Sequence, residues 1–323
     1  MRRRSVLAGL AGLLSTLFAP RATRSQSRRE VLAFHYGWYG PDEGWGTSAD
    51  GGRNHPNRPV GGLYDSLDPA VIARQIAQAR AAGITGFITS WDGEGNRRDR
   101  VLEALLAAAP EGFSVTAYIE SSGGSPARLA ERLDRLHARF ASAPRWLSLQ
   151  GRPVIFVFDR VLQEVGETGW GTARTAHRAA SAGGFAVIGP ANSEAEIAAR
   201  RRLFDALHVY SMQFQTDGWW FAFELQASRW LTRWVNAQQG LAVTTATVLP
   251  GYDDRRLDDR TGDRPTTPRR NGRTFQMMLN AARAARPDWL LIVSWNEWFE
   301  ATEIEPSVEM GARELQSLAR TRS

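Results

Sequence analysis

The chain has 323 residues, of which 43% are hydrophobic and 23% charged, a composition typical of a globular protein with a large core. It contains no cysteine and its basic residues are all arginine, which excludes disulfides, thiolate metal sites, cysteine nucleophiles and lysine Schiff bases. Four of the six net positive charges lie on Arg2, Arg3, Arg4 and Arg21, so the remainder is too small and dispersed to predict nucleic-acid binding. The twelve tryptophans favour a carbohydrate partner instead, because indole faces stack on sugar rings.

The first 22 residues are typical of a secretory signal peptide. A basic start precedes an apolar run over residues 6–18 and small residues near residue 22. Arg3, Arg4 and Leu7 resemble a twin-arginine signal, which exports folded proteins; an arginine-rich general secretion signal is the alternative. We predict a signal peptide over residues 1–22, a polar tether over 23–29 and one domain over 30–323. The protein is expected to be a bacterial monomer, periplasmic or extracellular, with no membrane span after signal removal.

From residue 30 onward, apolar runs of strand length alternate with amphipathic segments of helix length. This alternation is typical of parallel βαβ units. Eight strands are predicted, at Val31–Tyr36, Gly83–Ser90, Ser114–Ile119, Pro153–Phe158, Phe185–Ile188, Ala206–Tyr210, Leu241–Val248 and Trp289–Ser294.

Helices are predicted between these strands. The segment Pro69–Ala82 has the clearest limits, because Asp68 is a favourable N-cap, Pro69 fits the first turn and Gly83 ends the helix. The other helices are predicted at Asp99–Ala109, Pro126–Phe140, Thr172–Ala182, Glu194–Arg202, Phe221–Ala237, Phe275–Ala285 and Ala312–Arg320. Eight strands, each followed by a helix, predict an α/β protein with a single (β/α)8 TIM barrel and long loops at its C-terminal face.

The C-terminal ends of the strands carry the functional residues of such a barrel. Here these ends are rich in aromatic residues and acids: His35, Tyr36, Trp38, Tyr39, Trp91, Asp92, Glu120, Asp159, Asn192, Tyr210, Tyr252 and Asp253. One rim that collects such residues favours carbohydrate binding, although each residue alone could be a packing residue or a loop cap. Two long loops, residues 40–64 and 249–273, are predicted to cover the same rim.

The eighth strand runs directly into a cluster of acids and indole rings: Trp295, Asn296, Glu297, Trp298, Phe299 and Glu300. Two acids three residues apart in an apolar setting are expected to have pKa values that are pushed apart, as acid/base chemistry on a neutral sugar requires. The alternative is a strand end capped by solvated acids. The scattered histidines, and the absence of nucleotide-binding and serine-nucleophile motifs, predict neither a metal nor a cofactor.

Spaced motifs connect residues 35 to 306. They are His-Tyr-Gly-Trp-Tyr-Gly at 35–40, Leu-Tyr-Asp-Ser-Leu-Asp-Pro at 63–69, Ala-Gly-Ile-Thr-Gly-Phe at 82–87, Gly-Arg-Pro-Val at 151–154, Pro-Gly-Tyr-Asp at 250–253 and Trp-Asn-Glu-Trp at 295–298, continued by Glu-Ala-Thr-Glu-Ile-Glu-Pro at 300–306. Through these motifs the sequence resembles glycoside hydrolase family 99, the endo-α-mannosidase group, and its family 71/99-like relatives. The last motif is the most specific.

The resemblance implies retaining hydrolysis of an internal α-mannosidic bond without a metal. The glutamate matching Glu297 deprotonates the 2-hydroxyl of the sugar, which attacks the anomeric carbon to form a 1,2-anhydro intermediate. The glutamate matching Glu300 protonates the leaving oxygen and then activates water, and Tyr210 matches a tyrosine beside the first glutamate. With the rim residues, the predicted substrate-binding set is His35, Tyr36, Trp38, Tyr39, Trp91, Glu120, Tyr210, Tyr252, Asp253, Trp295, Asn296 and Trp298.

The chain departs from the family pattern at three positions. Phe299, Ala301 and Glu303 stand where the family usually has histidine, glycine and glutamine, so the substrate is less certain than the chemistry. A hydrolase of another α-glycan, such as α-glucan, is one alternative, and a non-catalytic carbohydrate-binding protein on the same barrel is another. A relative associated with glycosyl transfer is disfavoured by the export signal, since activated sugar donors are cytoplasmic.

Overall fold

The structure is a computed structural model, which describes residues 29–45, 55–219, 221–257 and 262–320. The predicted signal peptide, residues 1–22, and all but the last residue of the predicted tether lie outside these ranges. None of the helices in the described ranges is both long and apolar enough to cross a membrane.

Nine strands lie in the described part of the chain, and eight of them are parallel and form a ring. The ninth, β4, pairs antiparallel with β5 outside the ring. The strands are β1 (Glu30–His35), β2 (Gly86–Trp91), β3 (Ser114–Ile119), β4 (Ser148–Leu149), β5 (Arg152–Val157), β6 (Ala186–Pro190), β7 (Ala206–His208), β8 (Thr245–Val248) and β9 (Trp289–Ile292).

The ring has the order β7-β6-β5-β3-β2-β1-β9-β8, which leaves one seam, between β7 and β8, without a ladder among the described strands. Threonine side chains bridge this seam. The Thr245 hydroxyl donates to the Leu207 carbonyl at 2.7 Å, and the Thr247 hydroxyl donates to the Val209 carbonyl at 2.6 Å. The sheet is therefore a nearly closed (β/α)8 TIM barrel, which confirms the predicted fold class.

The pleat of the strands divides the core into two layers, because successive side chains point to opposite faces. Within β1, Leu32 and Phe34 pack inside the barrel, whereas Ala33 packs in the layer between the sheet and the helices. The pairing of β1 with both neighbouring strands fixes which of its side chains point inward, since Leu32 lies opposite Gly86 on β2 and Leu291 on β9.

The helices of the described ranges surround this ring. The first helix has the predicted limits: the Asp68 side chain accepts the Ala70 N–H, and Gly83 ends the helix with a φ of 96° that favours glycine. The helices are α1 (Pro69–Ala82), α2 (Arg97–Ala108), α3 (Pro126–Phe140), α4 (Asp159–Ala180), α5 (Glu194–Arg200), α6 (Gln213–Thr216), α7 (Phe223–Ala237), α8 (Arg273–Ala285) and α9 (Arg313–Arg320).

Several elements differ from the sequence prediction. Helix α4 begins at Asp159 rather than Thr172, because it continues across a kink at Gly166, where the glycine-rich sequence obscures the helical period. Strand β8 begins at Thr245 rather than Leu241, since the Asp288 carboxylate binds both the N–H and the hydroxyl of Thr244 in place of a ladder. The short elements β4 and α6 were not predicted.

Candidate active site

The chain leaves β9 in a closed loop, residues 294–305, here called the acidic loop. Backbone bonds tie its ends together: Ser294 N–H donates to the Thr302 carbonyl at 2.7 Å, and Ile304 N–H donates to the Ser294 carbonyl at 3.0 Å. Within the loop, Glu297 N–H donates to the Ser294 hydroxyl at 2.7 Å. These bonds hold the Glu297 backbone close to the C-terminal end of β9.

Six of the residues predicted from the sequence line one cavity of about 290 Å³ at this end of the barrel. They are Tyr36, Trp38, Glu120, Tyr210, Glu297 and Glu300. Glu297 has only 4% of its surface exposed, whereas Glu300 is partly exposed. The cavity therefore combines a buried carboxyl and a partly exposed one.

The pKa of Glu297 lies well above its ordinary value. Burial is the main cause, and the nearby charge of Glu300 adds to it. Two hydrogen bonds to Oε1 favour the charged form, from the Phe299 N–H at 3.1 Å and the Tyr39 hydroxyl at 3.3 Å, but they do not outweigh burial. The Glu297 carboxylate consequently has a high affinity for a proton.

A pair of tyrosines leads to the second acid. The Tyr36 hydroxyl donates to the Tyr210 hydroxyl at 2.5 Å, which donates to Glu300 Oε2 at 3.3 Å. Burial raises the pKa of both tyrosines well above the ordinary value, so both remain protonated donors near neutral pH. This chain of hydrogen bonds connects the Glu300 carboxyl to the Tyr36–Tyr210 pair at the cavity wall.

A third acid, Glu120, faces the same cavity. Burial raises its pKa to about 7, although the charge of Arg160 opposes this shift. Arg160 also lines the cavity. Near neutral pH Glu120 can therefore either accept or donate a hydrogen bond to a neutral ligand.

The remaining lining residues were not predicted as site residues. Tyr118 lies inside β3, where the pleat of the strand points its side chain into the barrel. From the sequence it could have been identified only by knowing which residues of β3 face inward. Phe299 was noted only as a departure from the family pattern. The unpredicted lining residues are Tyr118, Phe158, Arg160, Leu257 and Phe299.

Three predicted substrate-binding residues lie directly behind the cavity wall. The Tyr39 hydroxyl donates to Glu297 and accepts the Trp298 N–H at 2.9 Å. The Asn296 amide forms two hydrogen bonds with the Tyr36 backbone. Its Oδ1 accepts the Tyr36 N–H at 2.7 Å, and its Nδ2 donates to the Tyr36 carbonyl at 2.9 Å. Trp298 is fully buried. These residues hold the acids and the first strand end together, and none of them lines the cavity.

Three others lie on the helix side of the sheet. His35 stacks on Phe87, and Trp295 packs on the same ring. The indole N–H of Trp91 donates to Asp99 at 2.9 Å. None of these three residues lines the cavity, because strand alternation turns His35 and Trp91 away from the barrel interior.

Tyr252 and Asp253 lie on the loop after β8 and do not line the cavity either. The Tyr252 hydroxyl donates to Asp254 at 2.9 Å, and the Asp253 carboxylate pairs with Arg255 at 2.7 Å. Asp253 nevertheless contacts the acidic loop, since its N–H donates to the Glu300 carbonyl at 2.8 Å. These two residues support the loop that presents the second acid.

Both long loops reach the acidic loop in the portions that the structure describes. From residues 40–64, His55 packs on Phe299 with ring centroids 4.3 Å apart. From residues 249–273, Arg269 forms an ion pair with Glu303 at 2.6 Å. Residues 46–54 and 258–261 of these loops lie outside the described ranges.

A second cavity among the described residues lacks this combination. A cavity of about 390 Å³ lies at the opposite end of the barrel, among the first residues of β1 and β9, but its lining is mainly apolar. Within the described ranges, no group of three or more His, Asp or Glu side chains is arranged to hold a metal ion. The paired acids therefore identify the cavity at the C-terminal strand ends as the candidate active site.

Known proteins resemble this chain in sequence. It is 24% identical to the glycoprotein endo-alpha-1,2-mannosidase of Rattus norvegicus, in an alignment that covers 86% of this chain and 68% of the relative. It is 26% identical to a glycoprotein endo-alpha-1,2-mannosidase-like protein of Danio rerio, with 86% and 71% covered.

Comparison with solved structures and with family models agrees with these similarities. The GH99 endo-alpha-mannosidase from Bacteroides thetaiotaomicron superposes with a TM-score of 0.74 at 24% identity, over 90% of this chain and 95% of that one, which shows the shared fold. The model of glycosyl hydrolase family 99 matches residues 57–320, most of the chain, including the strand ends that carry Glu120, Tyr210, Glu297 and Glu300. The chain therefore belongs to glycosyl hydrolase family 99 and is a glycoside hydrolase.

Proposed function

We propose that this glycoside hydrolase cleaves an α-mannosidic bond within a glycan, with retention of configuration, and that Glu297 and Glu300 are its catalytic residues. One observation carries the proposal: the carboxyl groups of Glu297 and Glu300 line one cavity at the C-terminal strand ends. A carboxylate of raised proton affinity is suited to remove a proton from a neutral hydroxyl. The curated relatives that are named endo-α-1,2-mannosidases support the substrate class.

The first step would form a 1,2-anhydro sugar. Glu297 takes the proton of the 2-hydroxyl, the oxygen attacks the anomeric carbon, and the bond to the leaving oxygen breaks as Glu300 protonates that oxygen. In the second step Glu300 takes a proton from water, the water oxygen attacks the anomeric carbon, the bond between that carbon and the 2-oxygen breaks, and Glu297 returns its proton to the 2-oxygen. The anomeric carbon is inverted twice, so its configuration is retained.

The surroundings of the acids support these roles. The Tyr36–Tyr210 pair donates toward Oε2 of Glu300 and so orients this carboxyl at the cavity, where it is proposed to protonate the leaving oxygen. Tyr36 and Trp38 add aromatic faces to the cavity, their ring centroids 4.4 Å apart, and such faces pack well against the C–H groups of a pyranose.

A neighbouring cavity supports cleavage inside a chain rather than at its end. This cavity of about 330 Å³ shares Tyr118, Phe158 and Tyr210 with the first, and it continues to polar side chains at Asp159 and Asn192. A glycan that occupies both cavities would place an internal bond beside the acids.

The substrate proposal is tested by incubating the purified protein with α-mannan and α-glucan oligosaccharides. We expect internal cleavage of the α-mannan alone, seen as mid-sized products by chromatography, and a retained anomeric configuration in the first product detected by NMR. Cleavage of α-glucan alone would reassign the sugar. Binding without any product would support the non-catalytic alternative.

The two glutamates are expected to fail differently when each is changed to glutamine. Glu300→Gln removes the proton donor, which is worth roughly 10²–10⁴ in rate, so activity should recover partly on aryl glycosides with acidic leaving groups. Glu297→Gln removes the base that creates the nucleophile, so leaving-group acidity should not restore activity. Steady-state kinetics on a series of aryl α-mannosides measures both, with the exposed Glu111→Gln as the control that retains wild-type rates.

The use of the 2-hydroxyl is tested with the wild-type protein. A 2-deoxy substrate should bind but resist cleavage. If it is hydrolysed at a rate near that of the parent substrate, or if mass spectrometry traps a glycosyl ester on Glu297, then Glu297 is an ordinary carboxylate nucleophile and participation of the 2-hydroxyl is excluded.

We also propose that the protein is exported by a twin-arginine signal over residues 1–22, which lie outside the described residues. A reporter fused to residues 1–29 should leave the cytoplasm of a bacterial host, and export should fall when Arg3 and Arg4 are changed to lysine. Arg24→Lys in the predicted tether is the matched control and should leave export unchanged. A wild-type fusion that remains in the cytoplasm would contradict the proposal.

A further inference from the structure

We propose that Glu305 is a positioning residue for the active site: its carboxylate is the common acceptor of a buried hydrogen-bond network that fixes Asn296 and Trp298, the two neighbours of Glu297. The inference rests on the proposed function, since it assigns Glu305 a role through the Glu297 base. It names a residue outside the cavity lining, at the far end of the acidic loop.

The first branch of the network passes through Tyr64. The Tyr64 oxygen accepts from Asn296 Nδ2 at 3.2 Å and from Trp298 Nε1 at 3.1 Å, and its hydroxyl donates to Glu305 Oε2 at 2.8 Å. The Tyr36 backbone fixes the orientation of the Asn296 amide, and an indole N–H can only donate. Both lone pairs of the Tyr64 oxygen are thus occupied, which forces its proton toward Glu305.

The second branch comes from β1, β2 and α1. Gln75 Nε2 donates to both Glu305 oxygens, at 3.1 and 3.2 Å, so its Oε1 faces His35 Nε2 at 3.2 Å as an acceptor. His35 must then donate from Nε2 and accept the Thr89 hydroxyl at Nδ1, 3.1 Å away. Burial lowers the pKa of His35 to about 4, in agreement with a neutral ring. This branch accounts for His35, which does not line the cavity.

In both branches, every hydrogen bond is therefore donated in the direction of Glu305. Only 3% of the surface of Glu305 is exposed. The charged group that faces it is Arg74, at 3.6 Å with 41% of its side chain exposed. A carboxylate has only acceptors, whereas an amide or a protonated carboxyl would present a donor to groups that also donate. Such a donor would meet the Tyr64 hydroxyl or the Gln75 amide, and on the Tyr64 side it would remove a bond that fixes one neighbour of Glu297.

The effect on chemistry follows from the position of Glu297 between these two anchors. Its carboxylate is held by the Tyr39 hydroxyl and the Phe299 N–H, so a shift of the backbone moves the reactive oxygens with it. Proton abstraction depends steeply on the distance to the hydroxyl, and small misplacements reduce rates strongly. By contrast, the cavity residues Trp38, Tyr118 and Glu120 form no bond in this network, so substrate binding should change little.

The test uses full-length Glu305→Gln, Tyr64→Phe and the double variant in the aryl α-mannoside assay. We expect each single change to lower kcat roughly 10- to 100-fold with little change in KM, equally for acidic and poor leaving groups, because the defect lies in the base. The double variant should be no slower than the slower single variant. Glu30→Gln is the matched control, since Glu30 is a buried glutamate at the opposite end of the barrel that accepts the Thr85 hydroxyl, and its kcat should change less than threefold.

A second readout does not depend on the substrate. The indole N–H signal of Trp298 in the NMR spectrum, identified by its loss in Trp298→Phe, should shift in Glu305→Gln and not in Glu30→Gln. If the wild type does not cleave α-mannosides, the proposed function fails while this signal still tests the network. A wild-type kcat in Glu305→Gln, additive losses in the double variant, or an unshifted Trp298 signal would each overturn the role of Glu305. Tyr64→Phe alone answers the question if the glutamine variant does not fold.

Discussion

Phe299 stands where the family that the sequence resembles usually has histidine, and its contacts explain how the change is accommodated. The ring packs between His55, at 4.3 Å, and Tyr39, at 5.9 Å between centroids. The backbone of residue 299, rather than its side chain, binds the proposed base Glu297, because the Phe299 N–H donates to Glu297 at 3.1 Å. A change of the side chain at position 299 can therefore alter the cavity wall, while the backbone hydrogen bond to Glu297 remains.

Ala301 is the second departure, and its backbone shows why glycine suits this position. Its φ of 52° lies in the left-handed region, where a Cβ costs roughly 1–2 kcal/mol. Ala301→Gly should relieve part of this strain and raise the free energy of unfolding by about 1 kcal/mol, after the extra chain entropy of glycine is subtracted. Urea unfolding measures the change.

The matched control for this prediction is Ala107→Gly, an exposed site within the regular helix α2. There the same substitution should lower the free energy of unfolding by about 0.5–1 kcal/mol. A loss of stability at Ala301 of the same size as at Ala107 would show that the left-handed conformation of residue 301 carries no strain in the native protein.

At the scale of elements, the seam between β7 and β8 is the weakest part of the ring, since threonine hydroxyls replace a ladder there. Both hydroxyls point to buried carbonyls, and Thr245 and Thr247 have no exposed surface. Thr247→Val keeps the shape of the side chain but leaves the Val209 carbonyl without this donor. An unsatisfied buried acceptor costs roughly 1–3 kcal/mol.

We therefore expect Thr247→Val to lower the free energy of unfolding by about 1–3 kcal/mol in urea titrations, and a double change with Thr245→Val to lower it further. Thr175→Val, on the exposed face of α4, removes the same hydroxyl without a buried partner and should change stability by less than about 0.5 kcal/mol. Equal effects at the seam and on the helix surface would mean that the hydroxyls do not close the barrel.

At the scale of the whole molecule, the β/α alternation was sufficient to predict the barrel and the end at which the acids gather. Helices α1 and α3 and strand β3 have the predicted limits, because caps and apolar periods mark them locally. Helix α4 was truncated in the prediction, since three glycines between residues 166 and 171 obscure its period. Local signals thus set the elements wherever no special residue interrupts them.

The candidate site was predictable only in part, for a geometric reason. Tyr36 and His35 are neighbours at the end of β1, yet Tyr36 lines the cavity and His35 faces α1 through Gln75. Adjacent residues of a strand point to opposite faces, and the phase depends on which face the rest of the barrel covers. Tyr118, hidden inside β3, enters the cavity by the same rule.

By itself, the sequence determined the class of protein, the order of the elements and the pairing of Glu297 with Glu300, because these depend on composition, period and spacing along the chain. Tertiary structure decided which strand-end residues reach the cavity, how threonines bridge the β7–β8 seam, and that Glu305 terminates the network behind the base. Those features join residues as far apart as Tyr64 and Glu305, and their energies arise from burial and hydrogen-bond direction, which exist only once the chain is folded.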